Sequence, residues 1–165
     1  MKTNKQLLIG VAIMSFAFSS ISYGQAVTTR TITLEVDTEL LNNQNAAQVC
    51  TFTASSNTTM LANDPSNAEN FTIEANVGDI IEWQGIAKQP SNDIINIRMI
   101  FAESGPPIFR DPFRSGSRGN GQADKVRDTI IAVTGFEVFK YKIFFKVGDT
   151  GAMYQIDPKI KVGDN

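Results

Sequence analysis

Across residues 139–162 the chain alternates apolar and polar positions in the two-residue period of a β-strand. Phe139, Tyr141, Ile143, Phe145 and Val147 fall on one face, and Lys140, Lys142 and Lys146 on the other, with Phe144 the one intruder. Beyond Gly148, Asp149, Thr150 and Gly151, a turn composition, the period resumes. There Tyr154, Ile156, Ile160 and Val162 oppose Gln155, Asp157, Lys159 and Lys161. Successive strand side chains point to opposite sides, so each run has one buried and one wet face. The pattern predicts a β-hairpin in an antiparallel sheet.

The same period recurs upstream. Ile32, Leu34 and Val36 mark a strand over 27–36, and a weaker one follows over 48–53. Phe71, Ile73 and Ala75 mark a strand over 71–77. Ile81 and Trp83 mark one over 80–84, and Ile95, Ile97, Met99 and Phe101 one over 93–101. Strand character returns over 128–134. Residues 37–47 and 54–70 are rich in Asn, Ser and Thr and read as connections. Seven to eight evenly spaced strands with almost no helical period predict an all-β, Greek-key β-sandwich. Trp83, the only tryptophan, is expected to anchor its core.

The period fails over 103–127, which is rich in Gly, Pro, Ser and Arg. It reads as a long loop, and long loops in compact domains are commonly functional. Arg110, Arg114, Arg118, Lys125 and Arg127 lie there, interleaved with Phe109 and Phe113. Arginine beside aromatic rings suits carboxylate, phosphate or sulfate groups, or a protein hot spot. These seven residues are the candidate ligand-binding set. The competing reading is a solvated loop whose two phenylalanines tuck back onto the sandwich.

Composition adds a compartment. Lys2 and Lys5 precede an apolar run over 7–18 and a small, polar stretch over 19–24. That order predicts a signal peptide over 1–24, leaving one domain over 25–165 with no membrane span. The remaining 141 residues carry 13 basic and 17 acidic side chains, a net charge of −4. A mildly acidic chain gives no reason to expect nucleic acid as partner. Two scarcities bound the chemistry. The sequence has no histidine, so Ser-His and Cys-His nucleophile pairs and imidazole-bound metals are excluded. It has one cysteine, Cys50, so no intramolecular disulfide forms; its β-like surroundings predict a buried, inert thiol.

Over 71–162 the order of signals resembles the cupredoxins. Val77-Gly78-Asp79-Ile80-Ile81-Glu82-Trp83 resembles that family's Val-Gly-Asp turn and following strand. Phe139-Lys140-Tyr141-Lys142-Ile143 resembles the strand leading to its metal loop, and Asp157-Pro158-Lys159-Ile160-Lys161-Val162 its closing strand. The resemblance implies a cupredoxin-like sandwich. The family's copper site needs imidazoles and a thiolate, whereas Phe144, Phe145 and Lys146 follow Ile143 here, so no metal or other cofactor is expected.

The expectation for function is an exported, non-catalytic binding or surface-assembly module of a bacterial envelope. Its partner would be an envelope protein or a glycan, and the 103–127 stretch its working end. Two alternatives remain: a cupredoxin-related protein with an atypical or lost metal site, and a hydrolase using a carboxylate pair drawn from Glu35, Asp37, Glu74, Glu82 and Asp93.

Overall fold

The computed structural model describes residues 27–118 and 122–163; the expected signal peptide lies outside them. Where one face alternates with solvent, the chain forms the expected strands. These are β1 (Thr29–Val36), β2 (Cys50–Ala54), β4 (Thr72–Asn76), β5 (Ile80–Ala87), β6 (Ile95–Ser104) and β10 (Phe139–Val147). Ile32, Leu34 and Val36 of β1 are buried, as are Phe139, Tyr141, Ile143 and Phe145 of β10.

Two sheets face each other. The first runs β2-β1-β5-β9-β8, where β8 is Ser117–Arg118 and β9 is Asp124–Thr129. The second runs β3-β4-β12-β10-β6-β7, with β11 (Tyr154–Ile156) also paired to β10. In it β3 is Thr59–Ala62, β7 is Phe113–Ser115 and β12 is Lys159–Gly163. The molecule is a β-sandwich, as expected, with mixed sheets: β1 lies parallel to β5, and β4 parallel to β12. Among the described residues helix is limited to a single turn, α1 (Ala46–Val49), and a 3-10 turn at Ala68–Asn70.

The hairpin forms, but its second arm divides. β11 pairs with β10 through Ile143 and Ile156. The chain then breaks at Asp157-Pro158, and β12 pairs with the start of β10 while lying against β4. Proline donates no ladder hydrogen bond, and the break lets one apolar run serve two neighbours.

The core lies between the sheets. At its centre the Trp83 ring of the first sheet meets Tyr141 of the second, with centroids 5.6 Å apart. The indole Nε1–H donates to the Tyr141 hydroxyl at 3.1 Å. Along one side, polar bonds join the sheets. The Asp124 N–H donates to Asn96 Oδ1 at 2.9 Å, and Arg98 donates to the Asp124 carboxylate.

Topology gathers certain loops at one end. β1 and β5 run parallel from Thr29 and Ile80, and β4 and β12 finish together at Asn76 and Gly163. The start of β1, the 77–79 turn, the 130–138 link and the end of β12 therefore share that end. Loop 105–112 joins them, because the Ile131 N–H donates to the Ile108 carbonyl at 2.8 Å.

Candidate functional site

The 103–127 stretch is not one loop: it holds the end of β6, all of β7 and β8 and most of β9. β7 lies along β6 with Met99, Ile100 and Phe101 opposite Ser115, Arg114 and Phe113. Gly116 then crosses over β6, its N–H donating to the Arg98 carbonyl at 2.8 Å. A Cβ at 116 would lie 2.0 Å from the Ile97 oxygen, so only glycine fits. β8 and β9 then pair in the other sheet. The stretch crosses from sheet to sheet, and 105–112 is a loop between β6 and β7. The expected strand over 128–134 is displaced: β9 ends at Thr129, and Ile130 instead exchanges bonds with the 78–79 turn.

This geometry divides the seven candidate residues. Phe109, only 7% exposed, is a core residue; its ring stands edge-on to Trp83 at 5.7 Å and to Phe139 at 5.5 Å. Burial makes it part of the wall of a cavity at that end and keeps it from standing out toward a partner. Arg114 is half-buried and held by two carboxylates, its Nε 2.6 Å from Asp128 and its Nη1 3.1 Å from Asp111. Lys125 Nζ lies 3.5 Å from Glu82. Arg127 donates to the Thr29 hydroxyl at 3.1 Å. Arg118 pairs by its backbone with Asp124. Phe113 is 46% exposed and lies opposite Phe101 in the strand register, at the outer edge of the second sheet. Arg110 is exposed and makes no hydrogen bond or ion pair among the described residues. Of the expected side chains that are described, Arg110 and Phe113 are the ones exposed without a hydrogen bond or ion pair; that of Arg118 lies outside the described residues.

Beneath Arg110 is a cavity of about 90 Å³ lined by Ala102, Pro107, Phe109, Arg110, Asp111, Pro112 and Phe139. Its walls are mainly ring and proline carbons, with one guanidinium and one carboxylate at the rim. A wider, shallow groove of about 300 Å³ lies elsewhere, between Ile86, Ile94 and the 89–93 turn.

A second feature escaped the alternation pattern. Phe136 is entirely exposed, and Ile131, Val133, Val138, Val77 and Val27 stand exposed in the elements that share its end of the sandwich. A Gly-Phe turn between two apolar runs was the available signal, hidden by reading 128–134 as strand.

Several carboxylates are held by neighbouring side chains. Lys88 beside Asp37 holds that carboxyl below the usual range, and hydroxyls of Thr38 and Ser91 do the same for Asp93. Lys140 and then Lys142 hold Glu103 low, against some desolvation. Cys50 is buried, and desolvation pushes its thiol up to about 12. No group of three or more Cys, Asp or Glu side chains that could hold a metal occurs among the described residues. No helix among them is long and apolar enough to cross a membrane.

No family model and no curated protein matches the sequence. The fold is similar to that of a solved structure, the inclusion body protein PixA from Burkholderia cenocepacia J2315. Identity is 15%, the TM-score is 0.59, and the match covers 88% of this chain and all of that one.

Proposed function

We propose that this chain is an exported, non-catalytic binding or surface-assembly module whose working end comprises loop 105–112 and the turn carrying Phe136. The carrying observation is the group of exposed apolar side chains at one end, Phe136 foremost, beside an arginine with no partner among the described residues. An isolated exposed hydrophobe is ordinary, but several at one end of a sandwich suit a docking surface. Aromatic and arginine side chains are also those enriched at binding hot spots.

The chemistry of the chain supports binding over turnover. It lacks imidazole, and the carboxylates with a resolved shift, Asp37, Asp64, Asp93 and Glu103, are all held low. A carboxylic general acid needs the opposite shift. The structural neighbour is an inclusion body protein, and at 15% identity the likeness is one of fold.

The test is retention on envelope material. Full-length precursor is expressed in a bacterium that exports it, and the recovered protein is immobilised and incubated with envelope extract. A protein or glycan retained by the native chain, lost by Arg110→Glu and Phe136→Ser but kept by Ile94→Ser at the groove, supports the reading. Equal retention by all four chains, or none by any, contradicts it.

A further inference from the structure

Phe136 is held out into solvent by a braced turn. The Glu137 N–H donates to the Thr134 carbonyl at 3.2 Å, which places Phe136 third in a four-residue turn. Gly135, with φ +60, takes the left-handed position that favours glycine. Thr134 is buried and bonded to Val162 in both directions, its hydroxyl donating to the carbonyl at 3.1 Å and accepting from the N–H at 3.0 Å. Lys161 Nζ donates to the carbonyls of Gly135 and, at 2.8 Å, Glu137. Ordering a phenyl ring outside the core in this way gains nothing for a monomer.

A receptor for such a ring lies at the same end. The cavity of about 90 Å³ is walled by Pro107, Phe109 and Phe139 and is open to solvent. Its loop abuts the segment that carries Phe136: Gly105 lies against the Val138 carbonyl, and Ile131 bonds Ile108. An enclosed apolar cavity of about 150 Å³ holds a whole benzene, so this open one seats the leading part of a ring. The chain's own Phe136 does not enter it, being fully exposed. Charge completes the match. Glu137 stands next to the ring and Arg110 at the cavity rim, and neither side chain has an ion-pair partner among the described residues.

We infer that the occupant of this end is a second copy of the chain. Two copies meet end to end about a two-fold axis, each Phe136 ring entering the other's cavity and each Glu137 facing the other's Arg110. Because ring and cavity occupy one end, a single two-fold satisfies both, and the assembly closes as a dimer. Val133 and Val138 flank the contact and lose water with it. The inference rests on the reading of this end as the working surface and names its first partner.

The test is sedimentation velocity over a wide concentration range, on protein recovered from cells exporting the precursor. A concentration-dependent dimer is expected. Phe136→Ser should weaken it on the order of a hundredfold, since two rings return to water. Arg110→Glu and Glu137→Arg should each weaken it about tenfold or more by facing like charges, and the double variant should restore it to within a few-fold. Ile94→Ser should leave it unchanged. Circular dichroism monitors folding, and the charge-swap arm stands even if one single variant misfolds. A monomer at all concentrations, a dimer indifferent to Phe136→Ser, a swap that restores nothing, or sizes that keep growing would each overturn the inference. Envelope capture by a strictly monomeric chain would overturn it while leaving the binding reading intact. A dimer that captures nothing would do the reverse.

Discussion

Replacing Tyr141 by Phe removes one oxygen from the centre of the sandwich and leaves the ring in place. The hydroxyl accepts the Trp83 indole N–H at 3.1 Å, and the two residues are 0% and 1% exposed. Without it the indole donor stays buried with no acceptor, because water cannot reach it. A net hydrogen bond contributes about 1 kcal/mol, but an unsatisfied buried donor costs about 1–3 kcal/mol. The ring contacts to Trp83 and Phe139, at 5.6 and 5.9 Å, are kept, so little packing loss adds to this. Tyr141→Phe should therefore lower stability by about 2 kcal/mol, a large share of the roughly 5–15 kcal/mol of a typical domain. Urea unfolding followed by the emission of Trp83, the only tryptophan, measures it. The denaturant slope should not change, since the surface exposed on unfolding is the same. Trp83→Phe removes the donor and shrinks the ring, and should cost about 3 kcal/mol or more; it and the double variant carry no tryptophan, so circular dichroism follows their unfolding. In the double variant the losses should fall short of additive by about 1 kcal/mol. A loss below about 0.5 kcal/mol for Tyr141→Phe, with additive effects, would refute the reasoning. Burial also pushes the Tyr141 phenol above its ordinary range, against the opposing indole bond. Its neutral form is the one that folding favours. That stability is complete below the ordinary tyrosine value and is lost as pH rises, so Tyr141 should ionise only with alkaline unfolding.

The Cys50 thiol, pushed up to about 12 by burial, should react with a thiol reagent at pH 8 about a hundredfold or more slower than a free cysteine, and at full rate in denaturant. Glu103 lies 2.8 Å from Lys140 and 3.4 Å from Lys142, and all three are partly exposed, so Glu103→Gln should cost about 0.5–1 kcal/mol at pH 7. The carboxyl is held low, so its contribution is complete above the ordinary glutamate value and disappears as pH falls through the lowered one; the variant should match the native chain near pH 2. Gly116→Ala sets a methyl 2.0 Å from the Ile97 carbonyl oxygen, a backbone atom that cannot move aside, and should cost about 3 kcal/mol or more by thermal melting.

The strands legible in the sequence are those with one buried and one wet face. β1, β4, β5 and β10 keep their apolar face inward, because a one-residue slip would expose their core residues. β6 follows the expected alternation only at Ile95 and Ile97; beyond them Ile100 is buried in place of Met99, and Phe101, expected inward, is 43% exposed. β3, β7 and β8 were not legible. Each has two to four residues, and those of β3 are exposed throughout, so edge pairing and not local pattern decides their state. The same cause hid the crossover within 103–127. Phe109 sits in a segment without a period, so nothing local marked it as core. The partners that hold Arg114 and Lys125, Asp128 and Glu82, lie 14 and 43 residues away and meet them only through sheet pairing. Arginine and phenylalanine in one loop therefore signalled a site from composition alone, and among the described side chains of that set the fold leaves Arg110 and Phe113 exposed without a polar partner. Phe136 was read past because Ile130, Ile131 and Val133 look like strand; their segment instead wraps the sandwich end with Ile130 inward and Ile131 outward.

The central claim is that the end bearing Phe136 and Arg110 meets a partner. A photo-crosslinking amino acid in place of Phe136, in cells exporting the full-length chain, tests it most directly, with the same probe in place of Ile94 as comparison. Irradiation should give a discrete higher-mass product from position 136 and none from position 94. No product from 136, or equal products from both positions, would contradict the claim.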